Sequence, residues 1–349
     1  NACDKHNMKF GVYLSPLDHN AESYGNSVAY NELYAKQLAE LLSNYGEIHE
    51  VWFDGANGEG TNGRVQQYDW RRFYNVIDSL QPNTIKAIMG NDVRWVGNED
   101  GLGRQTEWSV TPLQPGINET FIAENARLNI SPTSYDLGSR NLINDSKTLY
   151  WYPSEVDVSI RPGWFYKEKE DKDVKSLAEL IDIYYRSVGM NSVLILNVPP
   201  DTRGRINTVD STRVTEFGNY IRTVFDNELI ENGDAEWKAK AGTSKEYVIT
   251  TGEGFNTLMI QEDITKGQRV ERFSVEAFVS GEWVPLTEGT TIGYKRLLRF
   301  DNCKASRIRI NIDETRDIAN IKKVGAYYAN PLVESTTANE NNDSSENIE

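Results

Sequence analysis

The sequence predicts an α/β domain with parallel strands, followed by an all-β sandwich. Three observations carry that prediction. Through the first half, short apolar runs alternate with helix-like runs, the pattern that builds parallel sheets. After about Asn227 the chain changes to short alternating strands separated by turn residues, as in a sandwich. A length of 349 residues is more than one hydrophobic core accommodates. The expected division is an α/β part over 1–226, a sandwich over 227–330 and a disordered acidic tail over 331–349, where no aromatic residue remains to anchor a fold.

Taken in order, Lys9 to Ser15 reads as a buried strand stopped by Pro16. Asn31 to Tyr45 is a helix because Tyr34, Leu38, Leu41 and Tyr45 recur at helical spacing, with Gly46 placed to end it. His49 to Asp54 is a short apolar strand running into Gly-Ala-Asn-Gly. Asp69 to Leu80 is helical, Gln81-Pro82 ends it, and Thr84 to Gly90 is the next strand. The stretch from Asp92 to Tyr150 is long, polar and aromatic with weak periodicity, and loops of that length tend to carry function. Leu149 to Ile160 is strand-like. Ser176 and Glu179 form a capping box before a helix with Leu177, Leu180, Ile181, Tyr184 and Val188 on its apolar face. Val193 to Val198, closed by Pro199-Pro200, reads as a fully buried parallel strand, and Asp210 to Phe225 as one more helix. TLMIQ, FSVEAFV, EWVPL, RLLRF, SRIRINI and KVGAYY are the sandwich strands; Trp237, Trp283 and Cys303 are expected within that core.

Composition removes several functions. A net charge of −15 argues against a phosphate backbone as partner, since counterion release needs clustered Lys and Arg. No apolar run reaches the roughly 18 residues of a membrane span. Two cysteines, Cys3 and Cys303, and three separated histidines, His6, His19 and His49, give neither a disulfide scaffold nor a metal centre, so no cofactor and no metal are expected. The chain starts at Asn1 with no signal sequence, so targeting information is expected to be absent or removed.

In α/β barrels the strand ends and the loops after them face the active site. Those positions hold Tyr13, Ser15, Asp18 and His19, then Trp52 and Asp54 with Gly55 and Gly58, then Asn91 to Glu99, then Trp151, Glu155, Asp157, Arg161 and Trp164, then Asn197. Carboxylates, amides and aromatics dominate, which suits a sugar: hydroxyls take planar polar partners and the apolar ring faces stack on Trp and Tyr. Two carboxylates flanking a glycosidic bond perform the whole hydrolysis. Asp54 is the stronger candidate for nucleophile, because a charge closing an apolar strand is costly unless it lines a cavity. Glu99, in a Gly/Asn-rich loop, is the candidate proton donor, with Asp100, Glu107 and Glu155 as competitors.

The segments KFGVYLSPLDHN, YNELYAKQLAELL, VWFDGANGEG, NDVRWVGNEDG, WYPSEVDVSIRPGWFY and SVLILNVPPDTRG resemble family 29 glycoside hydrolases, the α-L-fucosidases. They are most similar to the subfamily that removes α-1,3/1,4-linked fucose from branched Lewis-type glycans. The resemblance runs from about Lys9 to Gly204. It implies a (β/α)8-type barrel followed by a galactose-binding-like β-sandwich, and an exo-acting retaining mechanism. It makes Asp54 the nucleophile and Glu99 of WVGNE the acid/base. Tyr13, Trp52 and Arg94 then surround the fucose ring, and Trp151, Glu155 and Trp164 belong to the segment that closes the pocket. The implied partner is a fucosylated oligosaccharide, and the implied location is the bacterial periplasm or exterior. One departure stands out: the family's His-His-Asp motif on an earlier barrel strand is missing. The expectation is therefore a barrel truncated at its amino terminus, with an inactive glycan-binding remnant as the alternative to an active hydrolase.

Overall fold

The structure, a computed structural model, describes residues 1–113 and 119–331; apart from Pro331, the expected acidic tail lies outside the described residues. The first part runs α1 (Ala2–Lys5), β1 (Gly11–Tyr13), α2 (Ser27–Asn44), β2 (Glu50–Phe53), α3 (Trp70–Leu80), β3 (Ile85–Ile88), β4 (Arg94–Trp95), β5 (Val110–Thr111), α4 (Glu119–Arg127), α5 (Arg140–Asp145), β6 (Tyr150–Trp151), β7 (Ser154–Ser159), α6 (Leu177–Arg186), β8 (Val193–Asn197) and α7 (Thr208–Phe225). Parallel ladders join β1 to β2 to β3, and β4 to β7 to β8. A parallel bridge between Ala87 and Val93 links the two sets. Among the described residues the result is an arc of six parallel strands with β1 and β8 at its edges.

Pleating sorts the side chains. Val51 and Phe53 of β2 point outward to a core shared with Tyr30, Tyr34 and Leu38 of α2 and with Phe73 and Ile77 of α3. Val158 of β7 packs outward with Leu180 and Ile183 of α6. The other face is a row in register: Tyr13 beside Trp52 beside Ala87, and Glu155 beside Trp95.

Local chemistry sets the helix ends. Asn26 caps α2 through its side chain, Asp69 caps α3, and Ser176 with Glu179 completes a capping box on α6. Gly46 takes φ of +81° just after α2, where a left-handed residue terminates a helix. The buried stripe of α2 is Tyr30, Tyr34, Leu38 and Leu42, not the expected line through Leu41 and Tyr45; Tyr45 is exposed. The expected fully buried strand at Val193 is instead an edge strand, and Val193 is 47% exposed. An apolar run signals a strand between two covered faces, but it carries no record of which neighbours stand beside it.

The second part consists of β9 (Trp237–Ala239), β10 (Thr243–Val248), β11 (Phe255–Glu262), β12 (Val270–Val279), β13 (Glu282–Gly289), β14 (Arg296–Cys303), β15 (Arg307–Thr315) and β16 (Ala319–Tyr327). They form two antiparallel sheets, β10-β15-β12-β13 and β14-β11-β16-β9, around an apolar core that includes Phe255, Phe273 and Ile310. Trp237 and Cys303 pack against that core. Trp283 does not: it lies against Phe278 with the Arg309 guanidinium 3.8 Å from its ring centre. Indole stacks as readily under a surface guanidinium as in a core, and period-2 alternation leaves those outcomes undecided.

The two parts share an apolar cluster of Ile181, Tyr185, Val224, Met259, Leu297 and Tyr327. Polar bonds supplement it: Ser109 N to Gln268 Oε1 at 2.9 Å, Gln268 Nε2 to Glu107 O at 2.7 Å, and Tyr294 N to Asn191 Oδ1 at 2.7 Å. Leu38→Ala, at a fully buried site, is expected to cost about 3 kcal/mol in chemical denaturation; Leu41→Ala, half-buried, should cost less than half as much.

Candidate active site

The inward row carries the candidate residues. At the carboxyl end of β2, Asp54 has both oxygens engaged: Tyr13 Oη donates to Oδ2 at 2.7 Å and the Ala56 amide donates to Oδ1 at 2.8 Å. Tyr13 also stacks on Trp52, with ring centres 5.3 Å apart. Burial, reinforced by the bond to Asp54 and that carboxylate's charge, pushes the Tyr13 phenol up to about 12, so it acts as a donor across the physiological range. The Trp52 indole N–H donates to Glu155 Oε1 at 2.7 Å. Two strands along the arc, the Trp95 indole N–H donates to Asp157 Oδ1 at 2.7 Å.

Glu99 follows β4 through a tight turn. Gly97 has φ of +97°, and a Cβ there would stand 2.3 Å from Thr133 Cγ2, so only glycine fits. Asn98 pins the loop by bonding Leu102 O and accepting from Asp100 N. The exposed Glu99 carboxylate accepts from Trp164 Nε1 at 3.2 Å. Trp164 is itself held, since Asn197 Nδ2 donates to its carbonyl at 3.0 Å and to Ser159 Oγ at 2.9 Å. Asp157 lies in the field of both acids: burial raises its pKa first, then the charges of Glu99 and Asp54 raise it further.

Of the residues expected around the sugar, the structure brings Tyr13, Trp52, Asp54, Glu99 and Trp164 to this end of the sheet. Glu155 is 1% exposed and accepts from the indole N–H of Trp52, so it holds that ring by its edge. Arg94 must be corrected. It is fully buried and faces away from the row, with Nε on Tyr152 O at 3.0 Å, Nη2 on Trp108 O at 3.3 Å and an ion pair to Glu107. Its neighbour Trp95 points inward, and pleating sends adjacent residues to opposite faces. Trp151 must be corrected too. It precedes β7, at the amino end of a sheet whose strands run parallel, while Asp54 follows the carboxyl end of β2. Glu107, a competitor for proton donor, is committed to Arg94. Gly55 and Gly58 do not adopt positive φ; what Gly55 supplies is room against Met89 Sδ, 3.1 Å from where a Cβ would stand.

Sequence reasoning missed Glu50 and gave no role to Trp95 or Asp157, although both lie among the strand-end positions it named. Alternation was the available signal: Glu50 is two residues before Trp52, and Asp157 two after Glu155, so each shares a face with its neighbour. Burial raises the Glu50 carboxyl, which faces Glu155. Burial and then the Glu50 charge push Glu155 up to about 8. Among the described residues, no group of three or more His, Cys, Asp or Glu side chains is arranged to hold a metal ion.

The part of the chain that carries Asp54 and Glu99 lies within the span matched by a family model. The alpha-L-fucosidase model covers residues 1–224. The chain belongs to the alpha-L-fucosidase family. Alpha-L-fucosidase 1 of Arabidopsis thaliana is 36% identical, covering 91% of this chain and 65% of that protein. A Bacteroides ovatus protein of known crystal structure is 55% identical with a TM-score of 0.92, covering 97% of this chain and 58% of that one. A Ruminococcus gnavus GH29 fucosidase in complex with fucose is 30% identical with a TM-score of 0.78, covering 94% of this chain and 74% of that one. This family member thus spans less than two thirds of the Arabidopsis and Bacteroides ovatus proteins. No helix of the described residues is long and apolar enough to cross a membrane.

Two outcomes follow from this geometry. An unfolded glutamate titrates near 4.5 while folded Glu155 titrates near 8, so the folded chain holds an extra proton between those values. Stability is therefore highest below about pH 4.5 as far as this group is concerned, and falls as pH rises toward about 8. Glu155→Gln should flatten that part of a thermal-unfolding profile taken from pH 5 to pH 8. Arg94→Met should cost about 3 kcal/mol in denaturant unfolding, because buried Glu107 loses its close partner and keeps only the ion pair to Arg104 at 3.6 Å.

Proposed function

We propose that this protein is an exo-acting retaining α-L-fucosidase that removes α-1,3/1,4-linked fucose from branched Lewis-type glycans. The observation that carries the reading is the pairing of a strand-end Asp54, oriented by Tyr13, with a loop-borne Glu99, oriented by Trp164, inside the family match. The WVGNE sequence that places Glu99 supports the subfamily. A periplasmic or secreted site of action belongs to the same reading, on the family resemblance.

In the first step Asp54 attacks the anomeric carbon, forming an ester bond as the glycosidic C–O bond breaks, while protonated Glu99 gives its proton to the departing oxygen. In the second, Glu99 as carboxylate takes a proton from water, and the water oxygen displaces Asp54 to release fucose with retained configuration. The two bonds on Asp54 fix its carboxylate plane before substrate arrives, which lowers the cost of reaching the reactive geometry. Trp52 and Trp95 present ring faces for the apolar side of the sugar. Neither indole drifts, because each N–H is tied to a carboxyl group.

The six-stranded arc belongs, on this reading, to an eight-stranded barrel. Its support is the pair of edges: among the described residues β1 and β8 each have a strand on one side only, and Tyr13 is 55% exposed although it touches the nucleophile. Two further strands between β8 and β1 would cover that flank and add groups for the fucose hydroxyls.

Asp54→Asn should lower kcat on a nitrophenyl fucoside by about three orders of magnitude. Glu99→Gln should lose most activity on Lewis trisaccharides and recover turnover on nitrophenyl fucoside with azide. Equal hydrolysis of a linear α-1,2-fucoside would contradict the subfamily. Fucose binding with no turnover, by a form extended at its amino terminus, would favour a glycan-binding remnant.

A further inference from the structure

A groove of about 490 Å³ lies between the end of α6, the segment before β8, and strands β13 and β14 of the sandwich. Since α6 ends and β8 begins there, it sits at the amino ends of the strands, opposite Asp54 and Glu99. In a chain of net charge −15, this groove is lined by four arginines, Arg186, Arg272, Arg296 and Arg299, and by the single carboxylate of Glu288.

Three of the arginines have carboxylate partners: Arg186 and Arg299 share Asp182, and Arg272 pairs with Glu314 at 2.9 Å. Arg296 has none. It is 5% exposed, its hydrogen bond among the described residues runs from Nη1 to Gln105 O at 2.6 Å, and Nε meets no acceptor. Burial alone pulls this guanidinium down to about 10, with no neighbouring carboxylate to offset it. A buried charge without a counter-charge is costly, and the Nε/Nη2 edge it leaves unused is the fork that grips an oxyanion through two hydrogen bonds.

We propose that this groove is a binding site for a small oxyanion, a sulfate or carboxylate group, gripped by Arg296 and flanked by Arg272 and Arg299. The shared chemistry admits a free inorganic ion or a sulfated sugar, and the experiment separates them. Sodium sulfate and N-acetylglucosamine 6-sulfate are titrated calorimetrically into the purified protein at ionic strength matched with sodium chloride, with N-acetylglucosamine as control. Saturable one-site binding of sulfate is expected. Arg296→Gln should weaken it at least about tenfold, and the exposed Arg272→Gln about threefold. Glu288→Gln should tighten it, because the one opposing charge is gone. If Arg296→Gln fails to fold, the Arg272 and Glu288 variants still test the site with opposite signs. Sulfated sugar binding more tightly than sulfate identifies a glycan ligand, and equal binding identifies a free ion; either supports the site. Sulfate binding no better than chloride, or unchanged affinity in all three variants, overturns it.

Discussion

The buried ion pair between Arg94 and Glu107 is the constraint on which the site's geometry rests. β4 is two residues long, too short for its ladder to hold it unaided. Arg94 anchors it from behind through Glu107, Tyr152 O and Trp108 O. Glu107 in turn belongs to a loop fixed from the sandwich side by Thr291 and Gln268, and Arg316 covers Trp108 with its guanidinium 3.5 Å from the ring centre. The sandwich therefore reaches the candidate active-site loop through one chain of contacts. Pleating does the rest: with Arg94 facing the back, Trp95 must face the front, and the turn at Gly97 delivers Glu99 beside it.

A second theme is the crowding of acids on the inward face. Glu50, Asp54, Glu99, Glu155 and Asp157 occupy one side of a short sheet, and mutual repulsion with burial raises several of them. The cost is contained because indole and phenol donors are interleaved: Trp52 on Glu155, Trp95 on Asp157, Tyr13 on Asp54 and Trp164 on Glu99. Each donor gives its ring a fixed orientation while satisfying an oxygen. On the proposed reading, the same residues supply charge for chemistry and flat faces for a sugar.

Much of this was legible in the sequence, and the gaps have a common cause. The HEVWFDG strand, the capping box at Ser176 and the shift to alternating strands are local patterns, and they led to Asp54 and to the two-part fold. Arg94 and Trp151 were misplaced because their roles depend on strand direction and facing, which no local window contains. The two-residue β4 lacked enough length to show a period. Val193–Asn197 reads as a covered strand, but cover depends on the neighbours a strand has. Asp157 follows from counting in twos from Glu155, whereas Trp95, one residue from Arg94, takes the face opposite to it.

The central claim is that Asp54 forms the bond to the sugar. Incubation with a 2-fluorinated fucosyl fluoride, followed by proteolysis and mass spectrometry, tests it most directly, because the fluorine slows release of the covalent intermediate. The account predicts a fucosyl adduct on the peptide containing Asp54, with fragmentation placing it on that carboxylate. An adduct on Glu99, Asp157 or any other acid would contradict it.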